Sequence, residues 1–148
     1  MAHINKSINI NAPLSKVFEY VTNPENWTRY VPSLISVKNI SNEPPVKGTT
    51  FDWTYRVLGI NFRGKGIVTA YNKNKKFAIK MEGSFPITET FLFEGDVSST
   101  RLSFEVSYEL PGKVLSVVSK MPIIERVHAR EAGEVIRRLK DLCEAGSI

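Results

Sequence analysis

Two polar side chains interrupt apolar faces in this sequence, and between them they carry the residue types that move protons. Glu89 shares parity with Phe91 and Phe93 in an alternating segment, and His128 falls near the centre of an apolar helical stripe. If both face one cavity they form an acid/base pair, because an imidazole titrates near neutrality and a positioned donor or acceptor speeds proton transfer. The same groups could instead recognise a ligand hydroxyl or carbonyl, since a buried polar group wants a partner. A plainer reading makes His128 a satisfied core residue and places Glu89 near the open end of a sheet, where it reaches water. Recognition ranks above catalysis, so His128 and Glu89 stand as candidates only and no catalytic residue is assigned.

Other chemistries lack the residues they need. Arg63-Gly64-Lys65-Gly66 lies inside a strand pattern, without the turn-to-helix context of a phosphate-binding loop. His3, His128 and the lone Cys143 make no recognisable metal site. Nothing marks a nucleophile elbow. No metal and no cofactor is therefore expected. The densest basic run, Lys73, Lys75 and Lys76, reads as a solvated hairpin turn, so no nucleic-acid partner is expected.

The rest of the chain must position those two groups. With 148 residues, 42% apolar and 24% charged, it reads as one domain, 1–148, large enough for a real core. The net charge of +5 is moderate. One cysteine excludes an internal disulfide. No apolar run approaches the ~18 residues of a membrane span, and the N-terminus lacks the apolar core of a signal peptide. The expectation is a cytoplasmic protein with no integral membrane association. Asn-x-Ser/Thr triplets at Asn5, Asn26 and Asn39 are then chance matches.

Ile4, Ile8 and Ile10 alternate and predict a first strand. Pro13 fits the start of a helix whose stripe is Leu14, Val17, Phe18 and Val21. Asn23-Pro24 ends it and caps a second short helix, Pro24 to Tyr30, closed by Pro32. Trp27 and Tyr30 either border a cavity mouth or anchor that helix. Leu34 to Ser41 reads as a weaker strand. Five alternating segments follow from Thr49 to Leu110, with turns at Leu58-Gly59, Asn72 to Lys75, Ser84 to Pro86 and Gly95 to Ser99. Such alternation implies one buried and one wet sheet face. From Pro111 to Ala145 the chain predicts one long amphipathic helix with a kink at Pro122. The segment Gly112 to Lys120 is then either a gate or the static arm of that kink.

This order, together with Ala12-Pro13 leading into Val17-Phe18-Glu19-Tyr20-Val21 and then Asn23-Pro24-Glu25-Asn26-Trp27, resembles the helix-grip fold of the START-related (SRPBCC) superfamily. It is most similar to the polyketide cyclase/dehydrase and lipid-transport branch, close to the G-subunit family of carbon-monoxide dehydrogenase. The resemblance covers essentially the whole chain. It implies an α+β fold, a curved antiparallel sheet of about seven strands around a long C-terminal helix with an internal cavity. For function it implies binding or transport of a small hydrophobic ligand: a lipid, polyketide, isoprenoid or aromatic metabolite. A cyclase/dehydratase-type enzyme using His128 and Glu89 is one alternative. An accessory factor for metalloenzyme assembly, working with a partner protein, is another. A homodimer is left open. None of the superfamily's catalytic constellations can be carried onto these residues.

The proposed turns stack the inward residues in rows. Phe51 lies opposite Gly66, Gly66 opposite Met81, Met81 opposite Glu89, and Glu89 opposite Val106. The next row runs Trp53, Gly64, Gly83, Ile87 and Tyr108. Inward glycines either let the sheet bend or leave room beside large aromatics. The cavity would be lined from the sheet by Phe51, Trp53, Tyr55, Gly64, Gly66, Met81, Glu89, Phe91, Phe104, Val106 and Tyr108. The helix would add Val118, Met121, Ile124 and His128. On the cavity reading, Gly66→Leu fills space and leaves stability near wild type while apolar binding is lost.

Overall fold

The computed structural model describes residues 2–57, 59–83, 86–108 and 121–146, without the side chains at 2, 121–125 and 127. The chain opens with strand β1 (Ala2–Ile10), followed by helices α1 (Leu14–Thr22) and α2 (Pro24–Tyr30). Six strands come next: β2 (Leu34–Lys38), β3 (Thr50–Val57), β4 (Ile60–Asn72), β5 (Lys76–Glu82), β6 (Ile87–Gly95) and β7 (Thr100–Tyr108). Helix α3 (Met121–Glu144) closes the described chain. All strand pairs are antiparallel and form one seven-stranded sheet ordered β1-β7-β6-β5-β4-β3-β2. This is the α+β helix-grip architecture the sequence implies.

The two short helices follow from their ends. Pro13 is the N-cap of α1, and Val17, Phe18 and Val21 of its stripe are buried. Asn23 accepts a hydrogen bond on its side chain from the Glu25 N–H at 3.1 Å, with Pro24 at the first helical position. Glu25 in the first turn and Arg29 in the last complement the helix dipole. Asn23→Ala is expected to destabilise the protein by about 1 kcal/mol, read as a lower urea midpoint with an unchanged slope.

Helix α3 lies against β1 and β7 and touches α1 and α2. Ala132, Val135, Ile136, Leu139 and Cys143 are its buried face. The opposite face carries Glu134, Arg137, Arg138 and Asp141 in pairs three or four residues apart. Its C-terminal end is tied to β1 and the turn after it: Lys140 Nζ donates to the Asn9 carbonyl at 2.8 Å, and the Asn11 N–H donates to Glu144 Oε2 at 2.8 Å. The segment expected to precede α3, including Gly112, Val118 and Lys120, lies outside the described residues, as do the side chains of Met121, Pro122 and Ile124.

The strand register differs from expectation at one hairpin. Phe51 pairs with Gly66, Gly66 with Met81, Trp53 with Gly64, and Glu89 with Val106, as the turns imply. Met81, however, pairs with Ile87, and Glu89 pairs with Ile79. Each β5 residue thus meets β6 two residues earlier than expected, and Gly83 lies beyond Met81–Ile87, the last pair among the described residues. A two-residue slip keeps every side chain on its own face, so alternation alone cannot detect it. The observed register sets Phe77 opposite Phe91, and Phe91 opposite Phe104, in one aromatic row.

Candidate functional site

A small enclosed cavity lies between α2 and the inner face of β3, β5 and β6. Its floor is Phe51, Trp53 and Tyr55 from β3, Phe77, Ile79 and Met81 from β5, and Glu89 and Phe91 from β6. Trp27 and Tyr30 of α2 roof it, with Val31 and Leu34 closing the side. Alternation on the strands delivers the floor, and the one-turn spacing of Trp27 and Tyr30 delivers the roof. Both roof residues are also anchors. Trp27 Nε1 donates to the Val21 carbonyl at 2.9 Å, and the Tyr30 hydroxyl donates to the same oxygen at 2.7 Å. The cavity measures about 20 Å³, room for about one water.

The glycine rows do not supply this space. A Cβ at Gly66 would run into the Phe51 ring, and one at Gly64 into the Trp53 indole and the Glu82 carbonyl oxygen. A Cβ at Gly83 would stand 3.0 Å from Trp53. The missing side chains let two aromatic rings lie flat on the neighbouring strand, a close approach that only glycine permits. The expectation that Gly64 and Gly66 leave ligand room, and with it the tolerance expected of Gly66→Leu, is corrected here. Gly64 instead borders an open depression of about 610 Å³ over β2, β3 and β4. Two of the charges lining it are paired with each other: Lys65 Nζ lies 3.0 Å from Asp52 Oδ1, and Asn39 donates to Asp52 Oδ2 at 2.7 Å.

Glu89 is the chemically distinctive group. The Tyr55 hydroxyl reaches its Oε1 at 3.4 Å and Met81 Sδ at 3.5 Å. Burial pushes the Glu89 carboxyl up to about 8, and the nearby Glu131 charge adds to the rise against the Tyr55 hydrogen bond. Near neutrality Glu89 is therefore mostly an uncharged acid, able to donate a hydrogen bond. Burial, reinforced by Glu89, also raises the Tyr55 and Tyr30 hydroxyls well above their ordinary values.

The residue on α3 that couples to Glu89 is Glu131. Its Oε1 accepts the Ser33 N–H at 3.1 Å, which ties the α2–β2 connection to α3. Burial raises its carboxyl, against the lowering effect of Ser33. Sequence reasoning missed Glu131, although it lies one turn from His128 and four residues before the buried Val135. His128 is half-buried, and its ring lies over Tyr108 at 4.3 Å and 30°. Burial lowers its imidazole below the ordinary value. Among the described residues no hydrogen bond or ion pair joins His128 to Glu89.

Of the other expected lining residues, Phe51, Trp53, Tyr55, Met81 and Phe91 border the cavity. Phe104 stacks on Phe91 at 4.5 Å and is buried beneath it, and Val106 and Tyr108 are buried on β7 outside the lining. Val118 and the side chains of Met121 and Ile124 lie outside the described residues.

Comparison with known proteins agrees with this fold. A family model described as polyketide cyclase / dehydrase and lipid transport matches residues 1–144. No curated protein matches the sequence significantly. Among solved structures, TTHA0849 from Thermus thermophilus is 16% identical, with a TM-score of 0.82 over 99% of this chain and 100% of its own. The Zhui aromatase/cyclase from Streptomyces sp. R1128 is 13% identical, with a TM-score of 0.78 over 97% of this chain and 93% of its own. A START superfamily protein from Mycobacterium smegmatis is 12% identical, with a TM-score of 0.74 over 97% of each. At these identities the likeness is one of fold.

Proposed function

Because this chain belongs to the polyketide cyclase/dehydrase and lipid-transport family, we propose that it binds a small hydrophobic molecule in the cavity between the sheet and α2, against the aromatic floor around Glu89. The observation that carries the reading is a buried carboxyl set among aromatic rings beside a void. A core built for stability alone has no use for an ionisable group there, because burying it costs free energy unless something bonds to it. The void itself takes only a water-sized group, so an apolar ligand enters by parting the walls. The Ser33–Glu131 bond is the tie that opening would break.

Trp27 and Trp53 are the chain's two tryptophans, and both line the cavity. Titration with N-phenyl-1-naphthylamine, a neutral apolar fluorophore, should therefore quench intrinsic emission and sensitise the probe, saturating at one probe per chain. Linear, unsaturable quenching with no energy transfer would count against binding at this site.

A second reading, a cyclase or dehydratase, is favoured by one observation: Glu89 is a protonated acid near neutrality inside an apolar site. In that case Glu89→Gln abolishes turnover of a β-keto thioester while naphthylamine binding persists. Turnover that survives this substitution would remove Glu89 from any catalytic role.

A further inference from the structure

Resting on the binding reading above, the ligand's polar end follows from two acids that pair with no Lys or Arg among the described residues. The geometry points to a hydrophobic primary amine as ligand, its ammonium head seated in the void beneath α2 with Glu89 as counter-ion and the surrounding rings as a cage.

Four observations converge on this. First, Glu89 is only 9% exposed and lines the void, yet among the described residues its one hydrogen bond is the long 3.4 Å contact from Tyr55 to Oε1. Oε2 has no partner among the described residues. Second, a further carboxyl, Glu131, stands close enough to disfavour charge on Glu89, with its Oε1 engaged by Ser33. Among the described residues no Lys or Arg forms an ion pair with either acid. Arg138, whose charge lowers the Glu131 carboxyl, has its Nε 3.8 Å from Glu134. Third, Trp27, Phe51, Trp53 and Phe91 surround the void, and ring faces attract cations. Fourth, about 20 Å³ admits a group the size of water. A primary ammonium fits with the walls around the head in place, whereas a trimethylammonium must part them around the head as well as the tail.

A ligand hydroxyl or carbonyl would satisfy the hydrogen bonding of Glu89 and Tyr55. It would leave unused the attraction of the surrounding rings for a cation and the ionisable proton of Glu89. A cation uses both, donating to the Glu89 carboxylate it ionises while the rings face its charge. The groups facing Glu89 are Glu131 from α3, Tyr55 from β3 and Tyr30 from α2, and His128 sits one turn from Glu131 over Tyr108. Since Glu89 holds its proton near neutrality, binding of R–NH₃⁺ forms the ion pair and sends that proton to solvent. Amine affinity therefore rises with pH until Glu89 is ionised in the free protein.

Isothermal titration of the intact protein with n-octylamine, in two buffers of different ionisation heat, tests this. At about pH 7 the expected result is one amine per chain with release of about one proton, and a roughly tenfold gain in affinity per pH unit between about pH 6 and 7. n-Octanol and octyltrimethylammonium should each bind at least about tenfold more weakly, octanol without a pH dependence. Glu89→Gln should lose at least about tenfold for octylamine and little for octanol. The proton count and the amine-to-alcohol ratio are read on the wild-type protein and stand even if that variant folds poorly. Octanol binding as tightly as octylamine, or amine binding without proton release, would overturn the proposal and leave the binding reading intact. If naphthylamine also fails to bind, both fall together.

Discussion

The folding stability of this protein is expected to fall as pH rises from about 5 to about 8, and Glu89→Gln is expected to remove most of that fall. Glu89 has a folded-state value of about 8 against an ordinary 4.5. A group whose folded value is raised binds more protons folded than unfolded across the window between them. Its contribution is complete below about pH 4.5 and is lost as pH climbs through about 8. Fully expressed, that difference is roughly 5 kcal/mol, a large share of a typical domain's stability. Glu131, also raised, acts with the same sign. His128, lowered by burial, acts the other way near its ordinary value of 6.5 and blunts the slope. The carboxylates Asp52, Asp96, Glu134 and Glu144 are lowered, so their contributions are lost only as pH drops below the usual carboxylate range. Urea unfolding at closely spaced pH values gives the slope directly. At about pH 8 the Gln variant should be the more stable protein, by a few kcal/mol. A flat wild-type profile would mean that Glu89 is already ionised and partnered.

The second large effect is at the glycines under the aromatic rings. Gly64→Ala should cost about 3 kcal/mol, the upper part of the overpacking range, because its Cβ meets a backbone carbonyl that cannot swing aside. Gly66→Leu meets the Phe51 ring instead, which can shift at some loss of packing, and should cost about 1–3 kcal/mol. Gly133 is the internal control. It lies in α3 with nothing within 4 Å of a built Cβ, so Gly133→Ala should stabilise by about 1 kcal/mol through helix propensity. Thermal unfolding of the three variants orders them. Near-wild-type stability in Gly64→Ala would show that Trp53 and Glu82 leave room there after all.

The fold was legible because its signals are local and repeated. Alternation in Thr50–Val57 and Thr100–Tyr108, and the Asn23-Pro24 cap, mark elements the structure shows. The β5–β6 register was not legible, since parity survives a two-residue slip and residues 84 and 85 carry no unambiguous turn signature. The inward direction of Gly64 and Gly66 was legible from parity. Whether they left space was not, because that depends on the rotamers of Phe51 and Trp53 across the strand. Glu89 announced itself by sharing a face with Phe91. Glu131 did not, because a charged residue at the flank of a helical stripe looks like solvated surface until the α2–β2 connection folds over it. The pairing of His128 with Glu89 was an inference from two intruders on two faces. In the structure the ring of His128 turns to Tyr108.

The central claim is that a small hydrophobic molecule is held against the aromatic floor around Glu89. Native mass spectrometry of gently purified protein, followed by organic extraction of the same sample, tests it most directly. The account expects a population carrying one small apolar molecule per chain, released on unfolding and recovered in the organic phase. A bare-chain mass in every charge state, with nothing extracted and no adduct after incubation with apolar compounds, would contradict it.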